Sequence, residues 1–478
     1  MERVVDLQYW QTGQDTSEHA LRALFEQVKS NYNEQPYPDY QQRVDVLKQL
    51  KAALVEHQQA LLDALSQDYG YRSRFDSTLG DLLPAISHIN YTLKHLKRWT
   101  KPSRRESGLL LFPSSVKVEY QPLGVVGVIV PWNFPILLSI APIVTAIAAG
   151  NRVMVKLSEH THETNQVLKL ILSVIDQHVI PVEGEAQIAS EFSQLPFDHL
   201  IFTGSTPVGK LVAQAAAKNL TPVTLELGGK SPVIVDNETD LKQAVDAIML
   251  GKSVNSGQIC VAPDYVFVPE EKVSEFTELY LQRYRSAYIH KGKAESVSYI
   301  INDAQFARLN SLLEDAENHG ATLHSIDDIV LEGRRMLPYL VTDVSEAMRL
   351  TQEEIFGPIL PVLGYSNLSD VFGYINAKPR PLALYLMSND KVLQRQVIEQ
   401  THSGGVAIND TILHVAADDA PFGGIGESGL GHYHGKEGFM TFSKAKTVLH
   451  SSNWLPRSRL LLKHRHLAQK LLGKLFIR

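Results

Sequence analysis

The sequence predicts an α/β protein: a parallel sheet covered by helices on both faces, followed by a second α/β unit. Three observations carry this. Strand-like β-branched runs alternate with helical segments across roughly 120–240. The same alternation resumes after Cys260. A length of 478 residues exceeds what one hydrophobic core commonly supports, so two or three domains are expected.

The elements follow in order. Residues from about 17 to 100 read as helical, because Leu47, Leu50, Leu54, Leu61, Leu62 and Leu65 recur at helical spacing between charged positions. Lys101-Pro102-Ser103 ends that block. Val116 to Tyr120 alternates as a half-exposed strand does. Gly124 to Val130 is a β-branched run that suits a strand covered on both faces. The apolar run from Ile136 to Ala149 is too short to span a bilayer and contains Pro142, so it reads as a buried helix. A strand is predicted at Arg152 to Lys156, a helix from Glu163 to His178, and a strand at His199 to Phe202. Thr203-Gly204-Ser205 then turns into a helix from Val208 to Lys218. Val223 to Glu226 and Pro232 to Val235 continue the alternation. No internal repeat or low-complexity segment is present. The stretch from Arg457 to Arg478 is basic, has no acidic residue, and carries leucines at 460, 461, 467, 471, 472 and 475 in an amphipathic helical pattern.

Composition narrows the function classes. Hydrophobic residues at 44% and charged residues at 21% are those of an ordinary soluble protein. A net charge of -6 gives no reason to expect nucleic acid as a partner. A single cysteine excludes an intrachain disulfide and a cysteine-cluster metal site. His432-Tyr433-His434 is set aside as a metal site, since two histidines at i, i+2 need further ligands and none is suggested nearby. No metal is expected. The N-terminal residues are charged and polar with no apolar signal core, so the expectation is a cytoplasmic enzyme whose thiol stays reduced.

The chemistry-bearing residues fall in short blocks. On composition alone a lone cysteine reads as a small buried hydrophobe. Cys260, however, ends Asn255-Ser256-Gly257-Gln258-Ile259-Cys260, with Glu226-Leu227-Gly228-Gly229-Lys230 and Pro131-Trp132-Asn133-Phe134-Pro135 upstream. Together they offer a thiol nucleophile, a carboxylate base and an amide donor for an oxyanion, the parts that acyl chemistry needs. The plainer readings are a surface carboxylate for Glu226 and a turn residue for Asn133. In Phe202 to Gly209 a strand runs into a glycine turn and opens a helix, whose unpaired N–H groups suit a phosphate. Gly204 allows close approach, and Ser205 or Thr206 can cap. Only Gly204 and Gly209 are present, so the G-x-G-x-x-G fingerprint is absent and an ordinary capped turn is the alternative. Lys156 and Glu159 lie just past a strand end and can meet ribose hydroxyls, or simply pair in solvent. Glu353 and Glu354, if helical, do not share a face, so they are not an acid/base pair; one of them is a candidate ribose clamp.

The blocks PWNFP at 131–135, VKLSE at 155–159, FTGST at 202–206, ELGGK at 226–230, GQIC at 257–260, EEIFGP at 353–358 and PFGGIGESGLG at 421–431 occur together and in order. This set resembles the aldehyde dehydrogenase superfamily. NSGQICVAPDY at 255–265 and the GHYHGKEGF ending at Phe439 are similar to its class 3 branch of fatty, aromatic and coniferyl aldehyde dehydrogenases; Tyr71-Arg72-Ser73-Arg74 is similar to the coniferyl group. Leu157 departs from the proline usual there. The resemblance implies a Rossmann-like cofactor domain at 1–100 and 123–225, a bridging hairpin at 101–122, a catalytic domain at 226–430 and a return to the oligomerisation region at 431–456. The hairpin is expected to pack with the segment around 440–450 of a partner subunit in a homodimer. Cys260 is implied as nucleophile, Glu226 as general base, and Asn133 as oxyanion donor together with the Cys260 backbone N–H. NAD or NADP is implied as cofactor, held by Trp132, Lys156, Glu159, Gly204, Ser205, Gly209, Glu354 and Phe356.

The activity so implied is oxidation of an aldehyde, aromatic such as coniferyl aldehyde or medium- to long-chain aliphatic, to its acid through a cysteine-bound thioester. Neighbouring dipoles or Glu226 are expected to raise the thiolate fraction of Cys260. A coenzyme-A-acylating relative is the near alternative, and Glu226 counts against it; a catalytically inactive binding relative is the alternative of another class. For the tail at 457–478 the readings are packing on the enzyme's own body or its partner, peripheral contact with an anionic membrane, or disorder.

Overall fold

The computed structural model describes residues 18–451 and 454–477; the N-terminal residues read above as lacking a signal core, and Arg478, lie outside them. Sixteen strands are found among the described residues, here β1 to β16 in chain order, in three sheets.

The first sheet runs β15-β7-β6-β3-β4-β5. Its members are β3 (Val125–Ile129), β4 (Arg152–Lys156), β5 (Val179–Val182), β6 (His199–Thr203), β7 (Val223–Glu226) and β15 (Gly429–Leu430). All are parallel except β15, which runs antiparallel to β7. Both faces are covered, as the β-branched runs require. Val126, Val128, Val153 and Val155 point into a core with the helices Tyr40–Glu56, Leu83–Trp99 and Pro135–Ala149. Val125, Ile129 and Met154 point the other way, toward Leu21, Phe25 and Val28 of helix Glu18–Glu34. Period-two alternation therefore divides one strand between two cores.

The apolar segment forms helix Pro135–Ala149 with proline at its start and Gly150 as a left-handed cap at φ 97°. Pro142 sits inside it. Helix Tyr40–Glu56 begins at Asp39 in a capping box with Gln42. The helix predicted over Glu163 to His178 is shorter: His162–Leu172, then a turn of 3-10 helix. The following Val179-Ile180-Pro181-Val182 is taken by β5, which ends the helical run early. Helix Thr206–Ala217 starts two residues before its predicted start, because Pro207 fits the first helical turn.

The second sheet runs β10-β11-β12-β9-β8-β13-β14. It contains β8 (Pro232–Val235), β9 (Tyr265–Pro269), β10 (Thr322–His324), β11 (Tyr339–Thr342), β12 (Ile359–Tyr365), β13 (Ala383–Met387) and β14 (Gly405–Ile408). Only β10 is antiparallel. Val233 and Val235 face one core and Ile234 another, so this sheet too is covered on both faces. No helix separates β7 from β8; residues 227–231 carry the chain directly from the first sheet to the second.

The third sheet is antiparallel: β1 (Ser103–Arg105), β2 (Ser115–Pro122) and β16 (Ser443–His450), in the order β1-β2-β16. The 443–450 segment, read above as a contact to a partner subunit, pairs along its full length with 115–122 of its own chain. The tail forms two helices, Arg457–Lys463 and Arg465–Leu472, broken at His464 (φ −116°, ψ 34°), where a single amphipathic helix was predicted. No described helix is long and apolar enough to cross a membrane.

Candidate active site

The carboxyl ends of four neighbouring strands bring the predicted residues to one edge. In the first sheet β7, β6, β3 and β4 lie side by side, with Thr203 opposite Glu226, and Ile129 opposite both Phe202 and Lys156. Glu226, Gly204, the Trp132-Asn133 loop and Lys156 therefore emerge along the same edge, where open α/β sheets bind ligands.

The nucleophile loop is strained and tied down. Asn255, Ser256 and Gly257 follow one another with φ of 50°, 52° and 73°. For residues other than glycine this conformation costs about 1–2 kcal/mol each. A Cβ on Gly257 would lie 2.6 Å from the Gly357 carbonyl oxygen, so the loop is pressed against the 355–357 segment. Hydrogen bonds hold it. Ser256 Oγ donates to Ser298 O at 2.6 Å, and Gln258 Nε2 donates to Asn255 O at 2.9 Å and to Tyr299 O at 3.1 Å. Ile301 N donates to Gln258 Oε1 at 3.0 Å. Strain held by surrounding contacts is a mark of functional sites. Cys260 follows as a free thiol that keeps partial solvent access.

Asn133 belongs to that loop's network. Its Nδ2 donates to Gln258 O at 3.2 Å, two residues before the thiol. An amide nitrogen carries two hydrogens, so a second donor remains for an oxyanion. Its backbone carbonyl accepts from Arg72 Nη1 at 2.7 Å, Asn255 Nδ2 at 3.2 Å and the Tyr69 hydroxyl at 3.3 Å. Arg72 is buried with its guanidinium 4.9 Å from the ring centres of both Tyr69 and Phe134. The sequence reading gave Arg72 no role. The pairing spans 61 positions, and no local pattern announces it.

Glu226 ends β7, buried, with neither carboxylate oxygen hydrogen-bonded among the described residues. Burial pushes its pKa well above the usual carboxylate range. Glu354 is pushed up to about 7 by burial and by Asp264, against the pull of the Gly229 N–H, Lys230 and Arg308. A Cβ on Gly228 would stand 2.2 Å from a Glu354 oxygen, so only glycine lets this carboxylate close on the chain between the sheets. Lys230 in turn pairs with Asp264 and donates to Leu350 O and Glu353 O. Glu353 and Glu354 are not on a helix: the helix Arg349–Gln352 stops short, and Glu353 is extended. Successive side chains then diverge, so Glu353 pairs with Arg349 at 2.9 Å while Glu354 turns inward.

The expected activation of Cys260 is not present in this arrangement. Burial, and then the fields of Glu354 and Glu226, push its thiol up to about 12. Carboxylates beside a thiol oppose a second negative charge. Burial, and then the fields of Glu226 and Cys260, raise the Tyr433 hydroxyl; the sequence reading met this tyrosine in a set-aside metal motif and in the GHYHGKEGF block, and gave it no role.

The remaining residues suit a dinucleotide. Ser205 caps helix Thr206–Ala217 in extended conformation but makes no side-chain capping bond, which leaves the first N–H groups open. A Cβ on Gly204 would meet the Phe202 ring at 2.5 Å, and Gly204 N donates to Glu226 O at 3.0 Å. Gly209 faces Leu227, where a Cβ would stand at 2.6 Å, so it serves close packing of the helix. Lys156 is buried and pairs with Glu159 at 2.8 Å. Burial alone would raise the Glu159 carboxyl, but Lys156 holds it below the usual range. Leu157 N donates to Val182 O at 2.9 Å, a bond that a proline there would forgo. Trp132 meets Phe356 edge-on, centroids 5.4 Å apart, with Phe356 at φ 52°. Among the described residues no cluster of three His, Cys, Asp or Glu is placed to hold a metal.

Comparison with known proteins gives a consistent result. The model of the aldehyde dehydrogenase family matches residues 5–448. A probable coniferyl aldehyde dehydrogenase of Pseudomonas aeruginosa is 49% identical over 479 residues, covering 99% of this chain and 100% of that protein. A coniferyl aldehyde dehydrogenase of a Pseudomonas species is 41% identical and is covered to 90%, as is this chain. Among solved structures, the substrate-bound state of Staphylococcus aureus AldH superposes with a TM-score of 0.86 at 36% identity, over 94% of this chain and 99% of that one.

Proposed function

Since the chain belongs to the aldehyde dehydrogenase family and is an enzyme, we propose that it oxidises an aromatic aldehyde of the coniferyl type to the carboxylic acid, with NAD or NADP as cofactor. The observation that carries the reaction is the network in which Asn133 Nδ2 reaches the Gln258 carbonyl of the Cys260 loop while an unpartnered, buried Glu226 shares its field with the thiol. The substrate class rests on end-to-end likeness to the coniferyl enzymes.

The cofactor fits the residues present. The open helix start at Ser205, the close approach at Gly204, the Lys156–Glu159 pair and the inward Glu354 with Phe356 and Trp132 would hold its phosphates and riboses. When bound, its nicotinamide supplies the acceptor for the hydride of the aldehyde carbon. The chain's own residues do the rest. Glu226, its basicity raised by burial, takes the Cys260 proton as sulfur bonds to the carbonyl carbon. The buried Asn133 amide donates to the oxyanion, where a fixed donor is worth more than one in water. After oxidation the acyl group is a thioester on Cys260. Glu226 gives the first proton up to solvent and then takes a proton from water, whose oxygen attacks the acyl carbon; that proton passes to the departing sulfur, so the acid leaves and the thiol is restored. Release by water rather than by coenzyme A is supported by Glu226 itself. The division into cofactor, bridging and catalytic domains, a homodimer and a reducing cytoplasmic setting belong to the same reading.

The test follows reduced-cofactor absorbance with coniferyl, benzylic and long-chain aldehydes, each with NAD and NADP, with and without coenzyme A. Coniferyl aldehyde as the substrate of highest kcat/KM, insensitive to coenzyme A, is the expected result. A thioester product, or preference for long-chain aldehydes, overturns it.

A further inference from the structure

The charge of this chain is unevenly spread. Seven of its 46 lysines and arginines, and none of its 52 aspartates and glutamates, lie at 457–478, although the whole carries -6. The two tail helices bury none of their residues. Leu462, Leu467 and Leu471 are 79%, 58% and 52% exposed. Leu467, Leu471 and Leu475 form one stripe at helical spacing, with Arg465, Lys470 and Lys474 beside it. Between the two helices opens an apolar groove of ≈ 310 Å³, lined by Leu455, Leu460, Leu461, Leu467 and Leu471.

A second apolar patch, remote in sequence, adjoins the first. Between β1 and β2 a short helix, Gly108–Leu111, leads to Phe112; Leu109, Leu110 and Phe112 are all exposed. Arg457 Nη1 fastens the root of the tail to this turn, donating to Leu111 O at 2.8 Å and Ser114 Oγ at 3.2 Å. Ser114 and Ser451 hydroxyls meet at 3.3 Å, and the exposed Trp454 lies between strand and tail. One end of the three-stranded sheet thus presents leucines, a tryptophan and a phenylalanine among basic side chains.

We propose that this end docks on an anionic phospholipid surface, the tail helices lying flat with the stripe and the Leu109–Phe112 turn in the headgroup boundary. Charge complementarity selects the occupant. Two tail helices with cations and no anion among their described residues repel their own copies in a symmetric contact, whereas phospholipid headgroups neutralise them. Lysine and arginine stems cover apolar surface while their heads reach phosphates, and tryptophan favours the headgroup level. Each short helix is far below spanning length, which leaves a flat orientation.

The test uses the full chain and a chain ending at Pro456, each sedimented with phosphatidylglycerol vesicles or neutral phosphatidylcholine vesicles, at low and high salt. The full chain is expected in the phosphatidylglycerol pellet at low salt only, and the shortened chain in neither. Replacing Lys463, Lys470 and Lys474 with glutamine lowers partitioning on the order of a hundredfold, since each cation near such a surface contributes roughly fivefold. Leu467→Asp with Leu471→Asp abolishes binding with every cation kept, and solution activity is unchanged in all variants. Equal absence of full and shortened chains from the pellet overturns the proposal, as does equal binding to neutral vesicles. A change in oligomeric state on shortening, without vesicle binding, assigns the face to a second copy and overturns it as well.

Discussion

Replacing Glu226 with glutamine separates the two halves of the reaction. The amide nearly keeps the carboxylate's shape. No described side chain loses a partner, because neither Glu226 oxygen is hydrogen-bonded. Loss of a general base costs ~10²–10⁴ in rate, which is about 2.7–5.4 kcal/mol of barrier at about 1.36 per decade. Both steps lose their base, but the Cys260 thiol, at about 12, ionises unaided far more readily than water at about 15.7, so hydrolysis is slowed more and an acyl group accumulates on Cys260. Intact-mass measurement during turnover reads that adduct on the chain's single thiol. The same variant carries a second signature. Burial raises the Glu226 pKa in the folded state, while an unfolded chain ionises near about 4.3. Its contribution to stability is thus fully present below about pH 4.3 and is lost as pH rises through the folded value. Glutamine does not titrate, so the variant's Tm should match wild type near about pH 4 and exceed it near about pH 8. Full-rate steady turnover would refute the assignment of the base. A lower Tm at the higher pH would refute the account of its burial.

Asn133→Ala removes one oxyanion donor and is expected to lower kcat by roughly 10²–10³, about 2.7–4 kcal/mol, with little change in KM; a pure KM effect would leave Asn133 only a positioning role. Because the Cys260 thiol stands at about 12, its alkylation by iodoacetamide should climb about tenfold per pH unit from about pH 7 to 10, and levelling near the ordinary value of about 8.5 would contradict the structure. Gly228→Ala puts a Cβ 2.2 Å from a Glu354 oxygen. Glu354 must move, and loss of one charged hydrogen bond to the cofactor, about 1.5–3 kcal/mol, should appear as a cofactor KM raised tenfold or more. An unchanged cofactor KM would remove Glu354 from that role.

The parts legible in the sequence are those whose cause is local. The strand at Arg152 to Lys156 agrees end to end, because a short β-branched run between Gly150 and Ser158 leaves no helical alternative. The turn at Gly204 and Ser205 could be read because strand, glycine and helix follow each other directly. What stayed hidden depends on distant pairing. β7 and β8 look like neighbours in the sequence, yet belong to different sheets. β15 is two residues long, and its place beside β7 is set by Leu227 N donating to Ser428 O. Arg72 reaches Asn133 across 61 positions that only the packed fold brings together. The thiol's pKa depends on two carboxylates brought close by folding, and the break in the tail at His464 has no strong breaker to mark it.

The raised pKa of Cys260 also bears on how its thiol meets aldehydes of the proposed class. Thiolates, not thiols, add to electrophiles and are taken by oxidants. Aldehydes conjugated to a double bond are such electrophiles, able to alkylate a cysteine irreversibly at the wrong carbon. A resting site that keeps its only thiol protonated reacts slowly with them. With the proposed conjugated aldehydes as substrates, the two carboxylates that oppose ionisation would hold the resting thiol back from such alkylation.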